Sequence, residues 1–123
     1  RFVTHIPHAQ VLEKYGTTDL QLLVLAHTAI APGNLPGKFF EYLASGNPIL
    51  AIGPPDGDAA QILRETKAGV MVDRGDRAGL QAALETYFSK WEQGGVTDNR
   101  SVGRFSRKAL TQQLVEIIQT VLK

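Results

Sequence analysis

The chain contains no cysteine, one methionine (Met71) and one tryptophan (Trp91) in 123 residues. The missing cysteines exclude a disulfide framework and a thiolate metal site, and leave the compartment open. No apolar run approaches the roughly 18 residues that a membrane-spanning helix needs. The first residues also lack the charged and apolar pattern of a signal peptide. An excess of one charge is absent too: thirteen Lys and Arg stand against twelve Asp and Glu, a net +1. No global field therefore points to nucleic acid or to an anionic membrane. With Met71 the sole methionine, Arg1 does not read as a translation start. The sequence is expected to be a domain cut from something longer, although a fragment or a processed product fits as well.

What is present has the balance of an ordinary globular protein, 43% hydrophobic and 20% charged. A chain of this length makes a single domain, expected over 1–123, that can bury roughly two thirds of its unfolded surface. The pattern alternates strands and helices. Phe2–Ile6 reads as a short strand and His8–Tyr15 as a helix with Val11, Leu12 and Tyr15 on one side. Leu20–Ala26 is nearly all apolar between turn signals, which predicts a strand buried on both faces of a parallel sheet. Pro48–Ile52 and Gly69–Val72 are the next strands, and Asp58 is placed to cap a helix running to about Lys67 that buries Ala59, Ile62 and Leu63.

Asp76 is expected to cap a longer helix whose Leu80, Ala83, Leu84, Tyr87, Phe88 and Trp91 share a face, with Phe88 and Trp91 as core or interdomain anchors. Gln93–Arg104 has no period, and a last helix from Ser106 carries Leu110, Leu114, Ile117, Ile118, Val121 and Leu122 on one stripe. Such alternation gives an α/β domain, a three-layer Rossmann-like arrangement around a parallel sheet. Right-handed crossovers then collect the loops that follow the strands on one rim, where ligands bind in such sheets.

The segment with the most chemistry is Pro36-Gly37-Lys38-Phe39-Phe40-Glu41-Tyr42-Leu43-Ala44-Ser45-Gly46-Asn47-Pro48-Ile49-Leu50. It reads as a two-turn helix entered through a Pro-Gly loop, stopped at Gly46 in the left-handed conformation and followed at once by a strand. The first N–H groups of such a helix are unpaired and sit at the positive end of its dipole, so they suit a phosphate. Lys38 in the first turn disfavours the helix unless an anion arrives. Glu41 lies about one turn further along the same face. This combination suits a nucleoside diphosphate and its ribose.

Plainer readings stay open at each position. Lys38 can be a solvated lysine, and Glu41 a surface glutamate in an i,i+3 pair with it, worth roughly 0.2–0.5 kcal/mol. Gly37 can be a plain turn glycine instead of a place for close ligand approach. His5, His8 and His27 do not have metal-ligand spacing; His8 caps or precedes a helix and the others flank strands. Asp56-Gly57-Asp58 reads as a turn with an N-cap, with a donor-sugar contact as the alternative. The basic group Arg100, Arg104, Arg107 and Lys108 has little aromatic interleaving and reads as a solvated loop and helix start, not as a nucleic-acid patch.

Taken in order, His5-Ile6-Pro7-His8, Thr18-Asp19, Leu35–Leu50 and Lys67–Val72 with Asp76 four residues on resemble the C-terminal half of a GT-B glycosyltransferase. The similar family is that of retaining, nucleotide-sugar-dependent (group 1) enzymes, including bacterial surface-polysaccharide transferases. The resemblance implies a partial GT-B C-terminal domain that binds the donor, a UDP- or GDP-sugar. It implies that Glu41 holds the ribose hydroxyls and that Asn34, Leu35, Gly37 and Lys38 at the helix start lie against the diphosphate.

An earlier glutamate of many members, eight positions before Glu41, is Gly33 here. The two-glutamate pattern is incomplete, and the chain looks more like the branch with a lysine in the helix start. No catalytic residue, metal or cofactor is expected within this segment. The implied partners are the N-terminal acceptor domain and the first strand-helix units, both outside this sequence.

Without those units, Phe2–Ile6 is expected either to pair with Leu20–Ala26 or to leave a sheet edge that a homodimer covers. The resemblance further implies a cytoplasmic parent in bacterial polysaccharide biosynthesis, with peripheral attachment at the inner membrane face left open, and little activity for the isolated chain. The alternatives are a fragment of a sugar-nucleotide 2-epimerase, which shares the architecture, and a non-catalytic α/β association module.

Overall fold

Three of the apolar runs become short strands, β1 (Gln21–Val24), β2 (Ile49–Ile52) and β3 (Gly69–Val72), in a computed structural model that describes residues 4–95 and 100–123. They form one parallel sheet in the order β1-β2-β3. Leu22 lies level with Leu50 and Val70, and Leu23 with Ala51 and Met71. Successive side chains alternate across a strand, so this register divides the sheet into two faces. The helices are α1 (His8–Gly16), α2 (Gly37–Ser45), α3 (Asp58–Thr66), α4 (Arg77–Glu92) and α5 (Arg107–Val121), with 3₁₀ turns at Ala31–Gly33 and Arg100–Phe105. The architecture is α/β with a small open parallel sheet, consistent with a Rossmann-like fragment.

One face of the sheet carries the core. Leu23, Ile49 and Ala51 pack with Phe39 and Leu43 of α2 and Ala59 and Leu63 of α3. Burying a side chain such as Phe39 or Leu63 contributes about 1.5–3 kcal/mol each. Val102, from the second 3₁₀ turn, reaches the same cluster. The helix ends follow their residue types. Gly46 stops α2 at φ 80°, a conformation that other residues adopt at a cost. Asp76 and Ser106 cap α4 and α5 by accepting from the N–H groups of Gly79 and Ala109.

The opposite face is only partly covered. Leu50 and Val72 are buried there, but Leu22 and Val24 are 54% and 56% exposed. The strand expected over Leu20–Ala26 to be buried on both faces is thus shorter and covered on one face. A continuous apolar run says that a strand tolerates burial on both sides without saying that a neighbour is there.

Three further expectations change. The strand expected over Phe2–Ile6 begins outside the described residues, and Thr4–Pro7 have no regular structure. A strand needs a ladder partner. The Gln21 and Leu25 N–H groups go to Pro48 and Ile52, and among the described residues no strand pairs with the other edge of β1. Asp58 is not the N-cap of α3 but its first residue. Gly57 takes the cap position with no side-chain bond, and Asp58 favours the helix through its charge in the first turn. Phe88 and Trp91 are not core anchors. They touch each other with ring centroids 5.8 Å apart, yet are 58% and 55% exposed.

Candidate functional site

In a parallel sheet the loops that follow the strands share a rim, and here they touch. The chain after β1 runs through the Ala31–Gly33 turn to Pro36, and the chain after β2 turns at Gly53–Gly57. A Cβ on Gly57 would lie 2.8 Å from the Pro32 carbonyl oxygen and 3.1 Å from the Pro32 Cα. Only glycine lets the two loops close to this distance. Arg64 of α3 ties the second loop down by donating to the Pro55 carbonyl at 2.9 Å. Asp56 and Asp58 remain exposed beside it.

Helix α2 opens on this rim. Its start has no side-chain cap and no acidic residue in the first turn. Phe39 N–H bonds back to the Pro36 carbonyl at 2.9 Å, so the free donors are those of the residues just before it. Phe39 itself is fully buried and fixes the helix start to the core. Gly37 is exposed, and a Cβ there would meet no atom within 4 Å. Lys38 is exposed too, and among the described residues no carboxylate or carbonyl engages its ammonium.

The expected residues differ in what they offer. Asn34 is exposed and its N–H closes the preceding turn on the Ala31 carbonyl at 3.1 Å. Leu35 packs its side chain against the core, so it presents only backbone to the rim. Glu41 is half-buried and does not pair with Lys38. Its Oε1 lies 2.8 Å from Nε2 of His8.

The His8 contact comes from the way α1 lies along α2. Tyr15 and Tyr42 meet edge to face with centroids 5.0 Å apart, and the Asn47 side-chain amide donates to the Tyr15 carbonyl. Both contacts hold the C-terminal end of α1 near that of α2, which brings the first residue of α1, His8, to Glu41. The Tyr42 phenol is pushed up by burial and then by the Glu41 charge. That of Tyr15 is pushed up by burial, then by Tyr42 and Glu41. The Glu41 charge thus acts on both phenols along the contact between α1 and α2. His8 has a side-chain role beyond the start of a helix. Its seven-residue spacing from Tyr15 puts both on one side of α1, and that was the available signal.

A hollow of about 1140 Å³ lies at the opposite rim, where the strands begin. It is bounded by Thr18, Pro48, Lys67, Tyr87 and Trp91, so none of the residues expected to bind a ligand reaches it. Tyr87 stands at its edge and donates to the Ile49 carbonyl at 3.1 Å. Among the described residues no group of three acidic or histidine side chains converges as a metal site would require, and no helix is long and apolar enough to cross a membrane.

Comparison with family models, with curated proteins and with solved structures found no match.

Proposed function

We propose that the rim around the start of α2 binds the diphosphate and ribose of a nucleoside-diphosphate sugar. The chain would then be the donor-binding part of a GT-B glycosyltransferase. The observation that carries this reading is the uncapped, dipole-positive start of α2 with Lys38, unengaged among the described residues, in its first turn and a half-buried Glu41 one turn behind. Phosphate oxygens accept from the free N–H groups and meet the lysine charge. The open space at Gly37 lets a phosphate approach the backbone. In a transfer reaction the same groups stabilise charge as it develops on the departing diphosphate. Glu41 acts by orienting the ribose, not as a base.

On this reading the parent transfers the sugar to a glycan or lipid acceptor held by a separate N-terminal domain, as in bacterial polysaccharide assembly at the cytoplasmic side. The exposed Leu22 and Val24, and the edge of β1 that no strand among the described residues pairs with, are where further strands of that parent, or a second copy of the chain, would pack. The same exposed surface also favours the second reading, an association module without a ligand.

Calorimetric titration of the whole chain with UDP, GDP and ADP separates the two. A preferred nucleotide whose affinity falls at least about tenfold in Lys38→Ala and Glu41→Ala supports the donor site, since charge-assisted bonds of this kind are worth about 1.5–3 kcal/mol. A folded chain that self-associates and takes up no nucleotide supports the module.

A further inference from the structure

The donor-site reading uses α2 and leaves the contact between α1 and α2 without a role. A glutamate side chain has three rotatable bonds, and any ligand bound to it must offset the entropy of fixing them. Here they are already restrained. The His8 ring nitrogen Nε2 lies 2.8 Å from Glu41 Oε1, and an ionised carboxylate only accepts, so Nε2 carries the proton. Among the described residues no partner engages Oε2. The Tyr15–Tyr42 contact holds the two helices side by side and so keeps the exposed His8 ring within reach of Glu41.

We propose that His8 is a positioning residue for the ribose contact: it holds one carboxylate oxygen of Glu41 so that the other is presented to the vicinal hydroxyls of a nucleotide ribose. This rests on the donor-site reading and adds a residue of α1 to it. It also makes sugar discrimination, ribose against deoxyribose, a property of the α1–α2 pair instead of Glu41 alone.

The test is a set of calorimetric titrations of the whole chain with UDP, GDP and ADP and their 2′-deoxy counterparts. They are run on the wild type, Glu41→Ala, His8→Phe and His8→Gln, each checked by circular dichroism for folding. For the nucleotide that binds best, His8→Phe is expected to lower ribonucleotide affinity roughly fivefold or more, as loss of a charge-assisted bond would. Affinity for the deoxynucleotide, which keeps only the 3′-hydroxyl, falls by a smaller factor, so the ribose preference shrinks. His8→Gln, which keeps an amide donor at a similar reach, restores most of the preference.

A His8→Phe chain that keeps the full ribose preference, loses both ligands equally or binds more tightly overturns the proposal. If Glu41→Ala nevertheless abolishes the preference, the donor-site reading stands without His8. A wild type that shows no preference between ribose and deoxyribose, or no binding at millimolar nucleotide, overturns both.

Discussion

The two rims of this sheet are built from the same strands and have opposite characters. Where the strands end, two loops come too close at Gly57 to admit a Cβ, a helix opens without a cap, and Lys38 and Glu41 stand one turn apart on α2. Where they begin, a wide hollow is edged by the aromatic side chains of α4 and by Lys67, a non-glycine residue held at φ 56°. Volume alone would favour the second rim. Chemistry favours the first, because a small anion needs converging donors at hydrogen-bond distance more than it needs space. A hollow lined by exposed aromatics and strand starts offers area without convergence. The difference teaches that helix starts after strand ends leave backbone donors over by construction, which is what the proposed site at this rim would use.

The comparison can be broken most strongly from below. Phe39→Ala removes the fully buried side chain under the start of α2 and is expected to cost about 3–5 kcal/mol in denaturant unfolding. Nucleotide binding should be lost with it, whereas a change confined to the other rim should leave binding intact. Gly57→Ala should cost about 1–3 kcal/mol by forcing the two rim loops apart. Gly37→Ala, in open space, should change stability by less than about 0.5 kcal/mol. Only the second of this pair separates stability from binding: a folded Gly37→Ala chain with weakened nucleotide affinity would show that the backbone there is approached by a ligand.

At the opposite rim, Tyr87→Phe deletes the donor to the Ile49 carbonyl. The expected cost is about 0.5–1.5 kcal/mol by thermal denaturation, with nucleotide affinity unchanged. An affinity change in Tyr87→Phe as large as that in Lys38→Ala would erase the distinction between the rims.

The smallest effect lies near the end of α3, where Glu65 bonds Gln61 at 2.8 Å and pairs with Arg104. The Gln61 bond first, and then the Arg104 bond and charge, hold the Glu65 carboxyl below its ordinary value of 4.5. A lowered folded-state value means that the contribution is present above pH 4.5 and is lost as pH falls through the folded value. Glu65→Gln should therefore flatten the fall in melting temperature on acidification below that pH. Because the pair is exposed, salt should weaken its effect.

Much of the fold was legible in particular residues. Pro36-Gly37, Gly46 and Pro48 punctuate α2 and β2 so strongly that local conformation decides them, and Asp76 and Ser106 announce the caps that α4 and α5 use. What was not legible depends on partners distant in sequence. His8 and Glu41 lie 33 residues apart, and the contacts of Tyr15 with Tyr42 and Asn47 hold α1 beside α2 in the register that joins them. The exposure of Leu22 and Val24 was hidden because an apolar run is silent about which neighbours are present. For Phe88 and Trp91, helical spacing gave a shared face on α4 but not whether anything covers it. The candidate site was readable as a backbone feature with two charges; its third member required the packing of two helices.

The most direct measurement is the map of backbone amide shifts when the whole chain is titrated with the nucleoside diphosphate it binds best. The account predicts shifts centred on Asn34–Glu41 and on His8, with Thr17–Leu20, Lys67 and Tyr87–Trp91 still. Shifts centred on the second group, with the start of α2 unmoved, would contradict it.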